Sequence, residues 1–412
     1  MSDVVVVGAG VAGLVCALDL QAAGVECAVL EASDGVGGRV RTDTVDGFRL
    51  DRGFQILLTA YPEVHRRLDV AALDLREFAP GAVVRTPDGT CAVADPLRRP
   101  GAALGTLRAP VGTLADKVRL LRLVLSVRTT SAGDLLRGPD GTTADRLRRA
   151  GFSDVMVERL WRPLFAGIQL DPDLEVSSRR FDVILKMLAT GPTAVPAAGM
   201  GAVSDQLAAG LTPGTVRTGA RVDRLDGRAV HLADGEVLRP RAVVVATEGP
   251  EAHRLLGAPV EDPGSRAVAC CWFATAAPPV RGTALALDGT GSGPVRNLAV
   301  MSEVAPTYAP PGRSLVAAAV PGPDALRPDL AARVVEQLAG WFDTATADWT
   351  LLRTDVIPHG QPRQTPPFDP RRRVDLGDGR FVCGDHRDTA SLQGAMFSGG
   401  RTAAAAVRHL AG

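Results

Sequence analysis

The sequence predicts an α/β protein whose core is a parallel sheet covered by helices. Three observations predict this class. The valine run Val4–Val7 leads directly into a glycine-rich turn and an apolar helical segment, the apolar run 27–30 ends in Glu31, and the late run 380–383 ends in Gly-Asp before an alanine-rich helix. Short apolar strands that alternate with helices are typical of crossover units in parallel sheets.

The turn after the first strand reads G-A-G-V-A-G over residues 8–13. Glycine is costly in regular structure, so each position must need bare backbone. Gly8 makes the tight turn, Gly10 lets the backbone approach a pyrophosphate, and Gly13 lets the helix pack closely on the strand. With a strand before it and a helix after it, this spacing predicts a dinucleotide site.

The first helix and the second strand supply the other parts of this site. The N–H groups at the helix start, around Val11 and Ala12, face the phosphates with the partial positive charge of the helix end. Glu31 ends the second strand and is placed to accept hydrogen bonds from a ribose hydroxyl, with Ala32 beside it.

The loop E-A-S-D-G-V-G-G-R over residues 31–39 resembles the flavin-containing amine oxidase superfamily, which includes phytoene desaturases and protoporphyrinogen oxidases. The resemblance implies that the dinucleotide is FAD, with Gly37, Gly38 and Arg39 against its pyrophosphate. Glycines allow close approach, and an arginine gives charge-assisted bonds to phosphate. The expected fold is a Rossmann-like FAD-binding domain (glutathione-reductase-like, amine oxidase type) with an α+β substrate domain.

The same resemblance implies further contacts with FAD along the chain. They fall in the stretch F-R-L-D-R-G-F-Q beside the flavin ring, in a predicted β-meander at the adenine, and in the C-terminal motif around S-L-Q-G-A. The residues are Asp51, Gly53, Phe54, Gln55, Val222, Ala246, Gly384, Asp385, Gln393, Gly394 and Ala395. Gln393, Gly394 and Ala395 begin a predicted helix, and the partial positive charge at the start of a helix stabilises the negative charge of reduced flavin. Cys383 lies outside S-L-Q-G-A, so we expect non-covalent FAD.

A second G-x-G, at Gly199 and Gly201, follows Pro192 and Pro196. We expect no strand before it, and we therefore interpret it as a loop and N-cap rather than as an NADPH site. The FAD motifs are separated by two long inserts, so the predicted FAD domain is discontinuous. It comprises residues 1–60, 195–250 and 375–412, and the substrate domain comprises 61–194, which reads as largely helical, and 251–374, which reads as richer in strands.

The chemistry expected from the resemblance depends on which residues the chain lacks. Amine oxidases of this superfamily usually flank the flavin with two aromatic rings and carry a lysine near its N5 atom. Here the only tyrosines are Tyr61 and Tyr308. The only lysines are Lys117 and Lys186, and neither of them lies in the second insert. We therefore expect hydride abstraction from a C–H bond of a small apolar substrate, isoprenoid-like or polycyclic, by a desaturase or dehydrogenase.

The candidate catalytic residues are His359, His386 and Gln55. Three alternatives stay open: a flavin amine oxidase, a flavin-dependent isomerase, and a non-enzymatic lipid-binding chaperone of the GDP-dissociation-inhibitor type. The electron acceptor is also open, with oxygen and a quinone as candidates.

Charge and cysteine usage bear on partners and location. The 46 basic and 46 acidic residues cancel, which argues against a nucleic-acid partner. The six cysteines and six histidines show no metal-ligand spacing, so we expect no metal. We expect a cytoplasmic protein. The basic, leucine-rich helix 117–127 favours packing on the substrate domain, with peripheral contact with a membrane as the alternative.

Overall fold

A six-stranded sheet forms the core of the computed structural model, which describes residues 2–95 and 98–412. Its first five strands run parallel and the last is antiparallel. The spatial order is Val216–Arg217, Cys27–Leu30, Val4–Val7, Ala242–Val245, Arg380–Val382 and Asp375–Gly377. The valine strand is central and fully buried, which explains its continuous apolar sequence. The α/β class predicted from the sequence is therefore confirmed.

The helices Val11–Ala22 and Leu392–Ala411 cover one face of this sheet. They approach each other so closely that a Cβ atom at Gly399 would lie 2.4 Å from the carbonyl oxygen of Ala12. The helix Gly201–Ala209 packs on the same side. The other face is covered by the helix Gly249–Leu256 and by the predicted meander, whose strands are Val222–Asp226, Ala229–Leu232 and Val237–Leu238.

A short strand, Thr193–Pro196, precedes the second G-x-G, which corrects the expectation that none would. It pairs with Leu57–Leu58 and Leu75–Glu77 in a separate small sheet. Cβ atoms at Gly199 and Gly201 would meet Thr42 at 2.4 and 2.8 Å. These two glycines therefore accommodate the neighbouring hairpin rather than a phosphate.

A seven-stranded sheet forms the second large layer. Its spatial order is Thr350–Pro362, Ser265–Thr275, Ser314–Pro321, Asn297–Val300, Leu285–Asp288, Gly81–Thr86 and Gly89–Ala94. Both inserts contribute strands to it. The hairpin formed by the last two strands lies in the insert that we expected to be largely helical, and its Asp88-Gly89 turn is the signal that could have revealed it.

The remaining helices of the described chain lie mostly in the first insert. The α-helices are Pro62–Arg67, Ala103–Arg108, Leu114–Thr129, Ala132–Arg137, Thr143–Arg149, Asp154–Met156, Arg162–Gln169, Ser178–Thr190, Met301–Val304 and Leu330–Phe342, and one π-helical turn spans Val157–Trp161. Short 3₁₀ turns span Pro100–Ala102, Pro306–Tyr308, Pro323–Leu326, Asp343–Asp348 and Asp385–Arg387. In residues 2–95 and 98–412, no helix has both the length and the apolar character needed to cross a bilayer.

Asp51 is a buried carboxylate that joins three parts of the fold. It ends the hairpin Thr42–Val45/Phe48–Asp51 and is 0% exposed. Its oxygens accept hydrogen bonds from the Thr42 hydroxyl, from the Met200 N–H at 2.8 Å and from the Tyr308 hydroxyl at 2.8 Å. The sequence placed Asp51 beside the flavin ring, whereas the structure commits its carboxylate to these protein groups.

We expect Asp51 to make stability depend on pH. Burial raises the pKa of its carboxyl from 3.8 to about 6, although the three hydrogen bonds oppose that rise. A raised pKa means that the folded state binds the proton more tightly, so this contribution to stability is complete below about pH 4 and is lost as pH rises through about 6.

The variant Asp51→Asn cannot titrate at this position. The free energy of unfolding of the wild type, relative to this variant, should therefore fall by on the order of 3 kcal/mol from about pH 4 to about pH 7. Denaturant unfolding at a series of pH values measures the difference. Two profiles that stay parallel across this range would contradict the prediction.

Candidate functional site

The glycine turn after the first strand leaves an open space beside the sheet edge. Gly8 has a φ of +106° and lies against the Ala246 carbonyl, and a Cβ atom at Gly13 would lie 2.0 Å from the Gly8 oxygen. Gly10 differs from both, because a Cβ atom there would have no atom of the described residues within 4 Å. Two of the three glycines therefore serve close packing, whereas Gly10 faces open space.

The loop of Gly37 and Gly38 forms the opposite side of this space. The Gly37 N–H donates to the Ala9 carbonyl at 2.8 Å, and Gly37 bridges to Gly10. Gly38 has a φ of +58°, and among the described residues only the Gly10 Cα would lie within 4 Å of its added Cβ, at 3.7 Å. The backbones of Gly10 and Gly38 thus lie side by side and border the same open space. We call this space, which Gly10 and Gly38 line, the glycine cradle.

The cradle has the electrostatic character that a pyrophosphate requires. It lies at the N-terminus of Val11–Ala22, whose N-cap residue, Gly10, has no side chain that could accept the first N–H groups of the helix. The first N–H groups of a helix, here those of Val11, Ala12 and Gly13, have no partners within the helix and carry partial positive charge. The cradle therefore fits the phosphates of a dinucleotide both in shape and in charge.

Glu31 stands at the carboxyl end of its strand, next to the cradle. Its two carboxylate oxygens accept hydrogen bonds from the Ala9 N–H at 2.9 Å and the Ser33 N–H at 2.8 Å. Ala32, between Glu31 and Ser33, is exposed. The Ala220 N–H donates to the Glu31 carbonyl at 2.8 Å, which brings the start of the meander, with buried Val222, to the same place. A carboxylate oriented in this way has lone pairs left for ribose hydroxyls.

Replacing Glu31 with alanine should weaken FAD binding about thirtyfold. A hydrogen bond that involves a charged group contributes about 2 kcal/mol, and the change also removes the contacts that orient the Ala9 and Ser33 N–H groups. Titration of the apoprotein with FAD, followed by fluorescence, measures the dissociation constant. The matched control is Glu31→Gln, which keeps the acceptor and should lose less. Equal affinity of the alanine variant and the wild type would contradict this placement.

Arg39 connects the cradle loop with two distant parts of the chain. Its guanidinium donates to the Asp385 carboxylate at 2.8 Å and to the Gly360 carbonyl at 2.6 Å. Burial alone would raise the pKa of the Asp385 carboxyl, but the charge and hydrogen bond of Arg39 hold it below its ordinary value. The Gln55 amide in turn donates to the Arg39 carbonyl at 2.7 Å. These contacts hold the N-terminal loop against Gly360 and Asp385. We call the pair Arg39–Asp385 the arginine–aspartate closure.

The remaining residues expected from the sequence lie around this closure. Gly53 has a φ of +82° in the loop after Asp51, and the half-buried Phe54 packs edge-on against Phe78. At the C-terminal motif, Ser398 bonds both to the N–H and to the carbonyl of Gly384. At the start of the C-terminal helix, Ser391 accepts hydrogen bonds from the Gly394 N–H at 3.1 Å and the Ala395 N–H at 2.9 Å. The Gln393 side chain accepts the Glu63 N–H at 2.9 Å.

The two candidate histidines differ in their surroundings. His359 is half-buried, and its Nδ1 lies 2.7 Å from the Ser265 hydroxyl. His386 is 2% exposed, neither of its ring nitrogens has a partner among the described residues, and burial lowers its pKa to about 4. A neutral, buried imidazole with two free nitrogens, next to Gly384, is an orphaned polar group that a bound ligand can satisfy.

Sequence reasoning missed two charged residues of this region. Glu248 follows the strand Ala242–Val245 and precedes the helix Gly249–Leu256. Burial raises the pKa of its carboxyl, and His359 and Arg39 oppose the rise. Its place after a parallel strand is the signal that could have revealed it.

Arg180 is 2% exposed and donates to the Ala390 carbonyl at 2.8 Å, while its Nη1 has no partner in the described chain. Burial lowers its pKa to about 10. No sequence signal marked this arginine. Its charge lies beside the start of the C-terminal helix, where it favours an anion. No group of three or more potential metal ligands occurs in the described residues.

A glycine cradle, a ribose acceptor and an arginine–aspartate closure define a dinucleotide-binding protein of the α/β class. The family described as "Flavin containing amine oxidoreductase" matches residues 11–407. The chain therefore belongs to this family of flavin-dependent oxidoreductases, and FAD is the cofactor for which the cradle is built.

Similar proteins carry several different activities in their names. Putrescine oxidase of Kocuria rosea is 47% identical over 90 residues, which are 21% of this chain and 19% of that protein. 4,4'-Diapolycopene oxygenase of Methylomonas sp is 28% identical over 302 residues, 63% of this chain and 58% of that protein. These matches thus span less than two thirds of either relative.

Among solved structures, an oxidoreductase from Methanosarcina mazei superposes with a TM-score of 0.75 at 19% identity, covering 96% of this chain and 98% of that one. At this identity the likeness concerns the fold alone. It extends over nearly the whole chain.

Proposed function

We propose that the protein is an FAD-dependent dehydrogenase of the desaturase type, which removes a hydride from a C–H bond of an apolar, isoprenoid-like or polycyclic substrate. The observation that carries the proposal is the position of the two lysines. Lys117 donates to the Leu107 and Ala109 carbonyls, and Lys186 donates to the Val127 and Arg128 carbonyls. Both side chains therefore bind backbone at helix ends, and neither can serve as the flavin lysine typical of amine oxidases.

Both tyrosines also make contacts within the protein. Tyr308 is buried and bonds to Asp51, and Tyr61 is buried beside Arg180 and Ser391. An aromatic pair that flanks an amine at the flavin would have to come from other residues, and aromatic residues make up only 4% of the sequence. This composition supports a substrate without an amine.

An apolar cluster forms where the loop of Phe54 meets the seven-stranded sheet. Strands Ser265–Thr275 and Ser314–Pro321 are buried over almost their whole length, and one face of them belongs to the same cluster as Phe54 and Ile56. The side chains of that face are all buried in the protein: Cys270, Trp272, Ala274, Leu315 and Ala317. Phe54 and Ile56 are only half-buried, so these two remain open to a substrate, and they suit a hydrocarbon surface rather than a polar one.

FAD supplies the hydride acceptor when it is bound. The chain orients the substrate, excludes water and accepts any proton that is released. His359 is the better candidate for that proton, because its ring is held by Ser265 and lies near Glu248. His386, with a pKa of about 4, is a weak base at neutral pH and is better suited to holding the cofactor. The carotenoid-type name of the Methylomonas relative supports the apolar class, and the putrescine oxidase supports the amine alternative.

The test is anaerobic reduction of the FAD-loaded protein. Linear polyenes, a porphyrinogen and a primary diamine are each mixed with it, and the visible flavin bands are followed in time. We expect the first or the second class to bleach the bands and the diamine to leave them unchanged. Bleaching by the diamine alone would replace the proposal with an amine oxidase. Conversion of an apolar compound to an isomer, with no acceptor consumed, would replace it with an isomerase.

A further inference from the structure

Two consecutive helices of the first insert leave six large apolar side chains open to solvent. Each of these side chains is between 40% and 65% exposed. They are Leu104, Leu107, Leu114, Val118, Leu121 and Leu125, and we call them the apolar stripe. The last four recur at helical spacing along Leu114–Thr129, so they share one face of that helix.

The stripe is a rigid surface, because the opposite face of its helix is fixed in the protein. Leu123 and Val127 are buried, and Asp116 caps the helix start while bonding to Ser153. Lys117 joins the two helices through its bonds to the Leu107 and Ala109 carbonyls. The exposed leucines are therefore held in place beside one another and do not belong to a frayed segment.

The charges beside the stripe are positive. Arg108, Arg122 and Arg128 are exposed, and none of the side chains that the structure describes places a carboxylate within ion-pair distance of any of the three. Over 98–129 the chain carries six arginines and one lysine but only one acidic residue, Asp116, which is buried. This local excess stands out in a protein with a net charge of zero.

We propose that the apolar stripe and its arginines form a docking surface for an anionic lipid bilayer. Leucine side chains would enter the boundary between headgroups and acyl chains, and the arginines would bind the lipid phosphates from the same face. A second protein copy would bring the same positive charges against each other, so charge complementarity favours an anionic membrane over self-association. The proposal is independent of the substrate and of the chemistry at the flavin.

The test is vesicle flotation of the full-length, FAD-loaded protein without substrate. We expect binding to vesicles that contain phosphatidylglycerol and much weaker binding to vesicles of phosphatidylcholine alone. The double variant Val118→Asp/Leu121→Asp should bind at least about tenfold more weakly, because it places charge where apolar area is buried. Arg122→Gln and Arg128→Gln should each reduce the affinity about fivefold.

The matched control is Leu326→Asp/Val335→Asp, which changes two similarly exposed apolar residues outside the stripe and should bind as the wild type does. Absence of vesicle binding by the wild type would overturn the proposal, as would unchanged binding by the stripe variant. Gel filtration over a range of concentrations provides the third readout. A wild-type dimer that the stripe variant converts to a monomer would assign the surface to self-association instead. Full retention of visible flavin absorbance shows that the variants are folded.

Discussion

The variant Gly10→Leu should be a folded protein that does not bind FAD. Gly10 has a φ of −71°, which other residues adopt readily, and no atom of residues 2–95 or 98–412 lies within 4 Å of an added Cβ atom. The fold therefore tolerates a side chain at this position. That side chain would occupy the cradle that Gly10 and Gly38 line, and we expect the affinity for FAD to fall at least about a hundredfold, or ~3 kcal/mol.

Two other glycines provide the controls for this result. Gly340 lies in an exposed part of a helix with nothing within 4 Å, so Gly340→Leu should keep full FAD binding. Gly13→Ala would bring its Cβ to 2.0 Å from the Gly8 oxygen, and we expect that variant to misfold. Visible absorbance, the melting temperature and FAD titration separate the three outcomes. Normal FAD occupancy in folded Gly10→Leu would show that the pyrophosphate lies elsewhere.

The second large effect is expected for Arg39→Met. The change removes the partner of the Asp385 carboxylate, whose side chain is only 8% exposed, and also the bond to Gly360. A buried charge left without its partner is strongly destabilising, and because Arg39 itself is 33% exposed we expect a loss of about 2 kcal/mol in the free energy of unfolding. FAD retention should fall as well, because the cradle loop is no longer tied to the C-terminal motif.

A double variant separates stability from binding. In Arg39→Met/Asp385→Asn no buried charge is left unpaired, so most of the lost stability should return while FAD affinity stays low. Chemical unfolding of the apoproteins and FAD titration of all four members of the cycle provide the two readouts. If the double variant were as unstable as Arg39→Met, the ion pair would not be the cause of the loss.

Much of the cofactor framework could be predicted from the sequence because its signals are local. The valine strand, the glycine spacing and Glu31 lie within residues 4–31, and the structure has strands at Val4–Val7 and Cys27–Leu30 as predicted. The helix predicted at 117–127 is also present, as Leu114–Thr129. Periodicity of apolar residues is enough to identify such elements.

The partners of buried charges could not be predicted, because they are distant in sequence. Asp51 and Tyr308 are separated by 257 residues, and nothing near either one indicates that they bond. The same holds for Arg180, whose neighbour Ala390 contributes only a carbonyl. Asp51 shows that the local motif that places a residue near the flavin does not reveal which distant groups its carboxylate binds.

Arg39 and Asp385 are separated by 346 residues, and this has a consequence for how the protein matures. The glycine turns and Glu31 are therefore synthesised long before the strand Arg380–Val382 and the helix Leu392–Ala411, which complete their sheet and its cover. While the residues between them are being made, the nascent chain holds half of a nucleotide site, and the strand Ala242–Val245 lacks its neighbour on one side. Capture of FAD consequently has to wait for Asp385, and chains interrupted before residue 380 should be substrates for chaperones and proteases rather than holoproteins.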